Sequence, residues 1–164
     1  MTRLNFLLLC TAGLLVSVLP GCGGGATTEV PDLVPVSGTV MLGDKPGAGV
    51  YVVFNPITNP EDPTDKTAGT GASDITDENG KYTLEHRSGQ PGIQPGMYSV
   101  TFSKIGMPDG SPIPELKDDQ TPGSVGAVQL IPQRYTVIVQ TPNGLNQVIV
   151  KKEGGTFDFK LKSK

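Results

Sequence analysis

The 164-residue chain has no tryptophan, one histidine and two cysteines, and aromatic residues make up only 5% of it. So few rings leave little material for the stacking platforms on which single-stranded nucleic acids bind. A lone histidine, His86, cannot build a histidine-rich zinc site, and no serine sits in a GxSxG nucleophile elbow. Basic residues do not dominate either: formal net charge is −3, which disfavours a partner whose phosphates must be neutralised. Nucleic acid is therefore not an expected partner.

The thiols are accounted for by the first residues. Arg3 precedes the apolar run "LNFLLLCTAGLLVSVL", which is short for a bilayer span and carries Asn5, Thr11 and Ser17, so it reads as the n- and h-regions of a secretory signal over 1–21. Cys10 lies inside that run. Next stands "LPGC", Leu19 to Cys22, which resembles the lipobox of bacterial lipoproteins, with Pro20 where Ser or Ala is usual. That resemblance implies diacylglyceryl transfer to the Cys22 sulfur and cleavage before Cys22. Two or more acyl chains anchor stably where one does not. The mature chain would then hold twelve basic and sixteen acidic residues and no free thiol, which leaves no disulfide and no cysteine-ligated metal. The expected location is extracytoplasmic and membrane-anchored, with the choice between inner and outer membrane left open.

Glycine and proline are what the chain has in excess, 22 and 15 residues, about twice the usual share of the pair. Turns must be frequent. Residues 22–33 begin "CGGGATTEV" and show no apolar period, so they read as the lipidated cysteine and a flexible tether. From residue 34 the pattern changes to period two. "VPVSGTVML" places Val34, Val36, Val40 and Leu42 on one face, and "VYVVF" does the same with Val50, Val52 and Phe54. "PGMYSVTFSK" alternates Tyr98, Val100 and Phe102 against Ser99, Thr101 and Ser103. "YTVIVQ" and "LNQVIVKK" read as a hairpin about Asn143 and Gly144, and "TFDFKLK" closes with Phe157, Phe159 and Leu161 inward. About seven or eight strands result, the number of an Ig-like or transthyretin-like β-sandwich over residues 34–164.

Between two alternating segments lies "TDENGKYTL", whose acids invite a calcium reading. An EF-hand loop wants a first Asp where Ile75 stands and a bidentate Glu six residues after the glycine, whereas Glu85 is five after Gly80. Asn79 and Gly80 instead tolerate the positive φ that tight turns require. The acid cluster thus reads as turn chemistry.

In order, "VSGTV", "GVYVVF", "TDENGKYTL" and "PGMYSVTF" resemble the successive strands of carboxypeptidase regulatory-like domains, which have a transthyretin-like fold. The closing "LIPQRY" and "GGTFDFKLKSK" are similar to small planctomycete-type bacterial lipoproteins carrying that domain. The resemblance implies a β-sandwich accessory module with no peptidase site of its own. The chain departs from that pattern at residues 105–133, a Pro- and Gly-rich excursion read as a long loop.

Hidden catalysis would need convergent groups. His86 reads as a strand-end or loop residue. Asp118 and Asp119 are adjacent, so on an extended chain they point apart, unlike a glycosidase pair. A Lys–Asn crosslink of the adhesin-repeat type lacks a lysine in the first strand. For a ligand, alternation leaves Tyr51 and Tyr135 as the exposed aromatic candidates. The chain is accordingly expected to be non-catalytic and to need no cofactor or metal. Its expected role is a structural or protein-interaction module of the bacterial cell envelope, held by its lipid anchor; the alternative is a glycan- or peptide-binding accessory domain.

Overall fold

A computed structural model describes residues 32–58, 69–139 and 144–162. The expected leader, Cys22 and nearly all of the tether therefore lie outside the described residues, as do most of the loop after Pro56 and the turn residue Asn143. What is described is all-β, a two-sheet β-sandwich. Its strands are β1 (Val36–Leu42), β2 (Lys45–Pro46), β3 (Tyr51–Pro56), β4 (Ala72–Ile75), β5 (Lys81–Thr83), β6 (Glu85–His86) and β7 (Gly96–Ser103), followed by β8 (Ile105–Gly106), β9 (Val128–Gln129), β10 (Gln147–Val150), β11 (Gly155–Thr156) and β12 (Phe159–Leu161). Seven of them have three residues or more, in line with the count expected from the alternation.

One sheet is organised around β1, which pairs antiparallel with β2 and β5 on one side and parallel with β11 and β12 on the other. The second runs β10-β7-β3-β4-β6, all antiparallel. The core between them consists of the predicted inward residues: Val36 and Val40 of β1, Val50, Val52 and Phe54 around β3, Tyr82 and Leu84, and Tyr98, Val100 and Phe102 of β7. Phe54 is the hub, its ring centroid within 6.0–6.4 Å of Tyr82, Tyr98, Phe157 and Phe159. Of the eight aromatic residues beyond the leader, seven pack in or against this core, and Tyr51 is the exception. The aromatic poverty of the chain is thus spent inside.

Two glycines are fixed by close approach. At Gly38, mid-β1, a Cβ would overlap the carbonyl of Phe157, which crosses β1 there to accept the Tyr82 hydroxyl at 2.7 Å. Burial, and secondarily the Asp158 carboxylate, hold the Tyr82 phenol well above its ordinary pKa. Gly80 has φ 75° and backs onto the Val40 carbonyl, so "DENG" is a turn that only glycine closes. Asp77 Oδ1 accepts the amides of Asn79 and Lys81, both at 2.8 Å, an Asx turn that uses up the acid.

Three expectations are corrected. Thr136 to Gln140 does not form a strand over its described residues: β10 takes the place beside β7, and Val139 N–H donates to Ser99 Oγ at 2.9 Å while Gln147 Nε2 donates to the Val139 carbonyl at 2.7 Å. Ser99, expected on a solvent face, is consequently fully buried. The loop read over 105–133 is not one open excursion, because β8 and β9 pair at its base and Ala127 and Ile131 are buried. Gln129 closes that base, its Oε1 accepting from Lys104 and Ile131 amides and its Nε2 donating to Ser103 Oγ. Third, Tyr135 is not an exposed platform.

Candidate functional site

Tyr135 stands at the end of a 3-10 turn, Gln133–Tyr135, that drives its ring into the core. Its hydroxyl accepts the Lys162 amide at 3.2 Å, and the Arg134 guanidinium lies 5.1 Å from the ring centroid. It ties the end of β12 to the sandwich and has no face left for a ligand.

Tyr51, the other candidate, is placed as expected, 44% exposed on the outer face of the second sheet. Directly across on β4 stands Ile75, 61% exposed, so the two form an unshielded apolar pair. The Tyr51 hydroxyl donates to Ser73 Oγ at 3.1 Å. Beside the pair an open cleft of about 440 Å³ runs along β3 and β4, lined by Tyr51, Val53, Asn55, Thr70, Ser73 and Arg87 among others. Asn55 is fixed as a strut, its Nδ2 donating to the Val53 and Ser99 carbonyls and to Thr101 Oγ1. Arg87 is exposed and forms no ion pair with the described residues. The cleft therefore offers one aromatic wall, an apolar floor at Val53 and one cation. Ile75 was not singled out from the sequence, although it falls at an outward position once Tyr51 is placed in register.

The groups that attract a catalytic reading are otherwise occupied. His86 is buried, with Nε2 against Thr70 Oγ1 and Nδ1 accepting the Ser88 amide at 3.2 Å, which assigns the proton to Nε2. It staples the turn after β6 to the entry of β4. Asp74 Oδ2 accepts the Thr83 amide at 2.7 Å and so clips β4 to β5 across the two sheets. Asp118 and Asp119 are exposed on the excursion. Among the described residues no group of three or more His, Cys, Asp or Glu is placed to hold a metal, and none of the helical turns is long and apolar enough to cross a membrane.

No family model matches the chain, and no curated protein does. Two solved structures are similar to it. The major pilin subunit of Bacillus cereus is 14% identical with a TM-score of 0.38, covering 82% of this chain and 30% of the pilin. A 9R-lipoxygenase from Cyanothece is 14% identical with a TM-score of 0.32, covering 83% of this chain and 17% of the enzyme. The chain thus spans less than a third of either protein, and neither likeness bears on its activity.

Proposed function

We propose that the chain is a lipid-anchored, non-catalytic β-sandwich of the bacterial cell envelope that works by binding another protein, a lipoprotein of the carboxypeptidase regulatory-like kind. The observation that carries the interaction reading is the Tyr51–Ile75 pair, two large side chains left side by side in solvent on the outer face of the second sheet, where Ile149 of β10 is exposed as well. The "LPGC" sequence supports the anchor, with Cys22 as the acylated residue. The commitment of Asp74, Asp77, Asp158 and His86 to backbone and hydroxyl partners supports a non-catalytic role. A photoreactive residue at position 75 in living cells tests the reading. It predicts crosslinks to a discrete envelope protein; crosslinking confined to lipid and solvent would refute it.

A second reading, a glycan- or peptide-binding accessory domain, is favoured by the uncommitted Arg87 at the cleft beside Tyr51. Tyr135 is not available to complete an aromatic platform, so the single ring of Tyr51 would have to serve. Binding of acidic glycans or peptides that is lost in both Tyr51→Ala and Arg87→Ala would establish it.

A further inference from the structure

The excursion between β8 and β9 leaves the sandwich at the end where β1 finishes, away from the entry of the chain at Val34. Lys104 Nζ donates to the Ala48 carbonyl at 2.7 Å, and the neighbouring Gly47 amide donates to Val40 near the end of β1. Within the excursion, residues 111–116, "SPIPEL", have no regular secondary structure and are exposed apart from a half-covered Ile113. Their conformation is nonetheless narrowly set. Pro112 and Pro114 hold φ near −65°, and a residue before proline is driven out of the helical region, so Ser111 and Ile113 are confined to extended backbone as well. Two residues, Ser111 and Ile113, are thereby held to β or polyproline II geometry, and the two prolines have fixed φ.

Both ends of this stretch are pinned. On one side Gly110 N–H donates to Met107 at 3.0 Å, and Asp109 Oδ1 accepts the Ser111 amide at 3.0 Å and its hydroxyl at 2.7 Å. Those bonds also hold the Asp109 carboxyl below its ordinary pKa, as expected of a carboxylate locked in an Asx turn. On the other side the Lys117 amide donates to Gln120 Oε1 at 3.1 Å, and Gln120 N–H returns to the Lys117 carbonyl at 2.9 Å. The strip is bounded by a turn at each end, and the amides of Ile113, Glu115 and Leu116 are left without a partner among the described residues.

We propose that Ser111 to Leu116 is a recognition peptide, a polyproline-type strip that docks in an apolar, aromatic-lined groove with a basic rim on a partner protein. Polyproline II has three residues per turn, which places Ile113 and Leu116 on one edge as the apolar contacts. Leu116 is 37% exposed although nothing in the fold requires an apolar residue there. Around the strip, Asp109, Glu115, Asp118 and Asp119 face a single cation, Lys117, and this charge selects a basic rim. Because the prolines fix the strip before binding, its docking forfeits little chain entropy, the property that grooves for proline-rich ligands exploit. The inference deepens the protein-binding reading and rests on it, but uses a surface other than Tyr51 and Ile75.

The test places a photoreactive residue at position 115 of the full-length chain in its native membrane, beside a second version with the probe at position 75. The strip predicts one discrete protein adduct from position 115, competed by a synthetic peptide of residues 107–120. That adduct should fall at least tenfold in the Ile113→Ser/Leu116→Ser variant while its melting temperature stays within about 2 °C of wild type. Raising the salt should weaken capture by the peptide, since rim charges steer the encounter. A clean adduct from 75 with none from 115 would overturn this inference and leave the broader reading standing. Absence of adducts from both positions would overturn both. An adduct from 115 that is indifferent to the peptide, or to the double substitution, would also refute the strip.

Discussion

Thr39 and Asp158 are joined twice: Asp158 Oδ1 accepts the Thr39 amide at 2.8 Å and its hydroxyl at 2.6 Å. The partner strand of β1 is broken between β11 and β12, and the Asp158 side chain fills the break by taking the ladder position of a main-chain carbonyl. Asp158→Ala should therefore leave the Thr39 amide without its acceptor and destabilise the fold by about 1–2 kcal/mol. Asp158→Asn, which keeps an acceptor oxygen, should lose less. Urea unfolding of the two variants would show whether the order holds.

Gly38→Ala tests the crossing of the Phe157 carbonyl over β1. A methyl group there displaces that carbonyl and with it the bond from Tyr82, so the cost should reach about 2–4 kcal/mol, through overpacking plus a lost buried hydrogen bond. Tyr82→Phe removes only the bond and should cost about 1 kcal/mol. If Gly38→Ala melts with the wild type, the crossing does not constrain the strand.

In the turn after β4, Gly80→Val should destabilise by about 1–3 kcal/mol, since positive φ is a strained conformation for a β-branched residue and the Val40 carbonyl blocks its Cβ. Asp77→Ala removes the acceptor of two amides and should cost about 1 kcal/mol. Neither variant should gain or lose a response to calcium. A calcium-dependent rise in melting temperature that Asp77→Ala abolishes would replace the turn with a metal site.

Alkaline titration reads the buried phenols. Burial pushes Tyr98 up to about 12, and Tyr82 is raised further, whereas an unfolded tyrosine ionises near 10. Above pH 10 the unfolded chain has lost protons that the folded chain retains, so stability is complete below that pH and falls as pH rises through the folded values. The Tyr82→Phe variant should show a shallower decline between pH 10 and 12 than the wild type. Equal slopes would mean that Tyr82 ionises in the fold as freely as in the unfolded chain.

The sandwich was legible in the sequence wherever a face is set by its own strand. Val50, Val52 and Phe54, and likewise Tyr98, Val100 and Phe102, carry a period-two signal that needs no knowledge of partners. The turn at Gly80 was legible for the same reason. Ser99 and Val139 were not, because a polar residue becomes buried only when a distant segment supplies its hydrogen bond. Tyr135 reads as a surface residue and Ile131 goes unmarked because of their context, a proline-rich stretch whose local pattern carries no hint of the core. Of the candidate site, Tyr51 was legible from alternation. Its neighbour Ile75 required the register of β3 and β4, and Arg87 required the cleft.

The central claim is that an anchored sandwich presents its binding surfaces from the membrane, and the intact mass of the mature chain recovered from cell membranes tests it most directly. The account predicts a chain that begins at Cys22 and carries a diacylglyceryl group, with further acylation of the new amine where present. It also predicts that Cys22→Ala gives an unprocessed or unanchored protein, since Cys10 leaves with the leader. A wild-type chain recovered without lipid on Cys22, or with its leader intact, would contradict it.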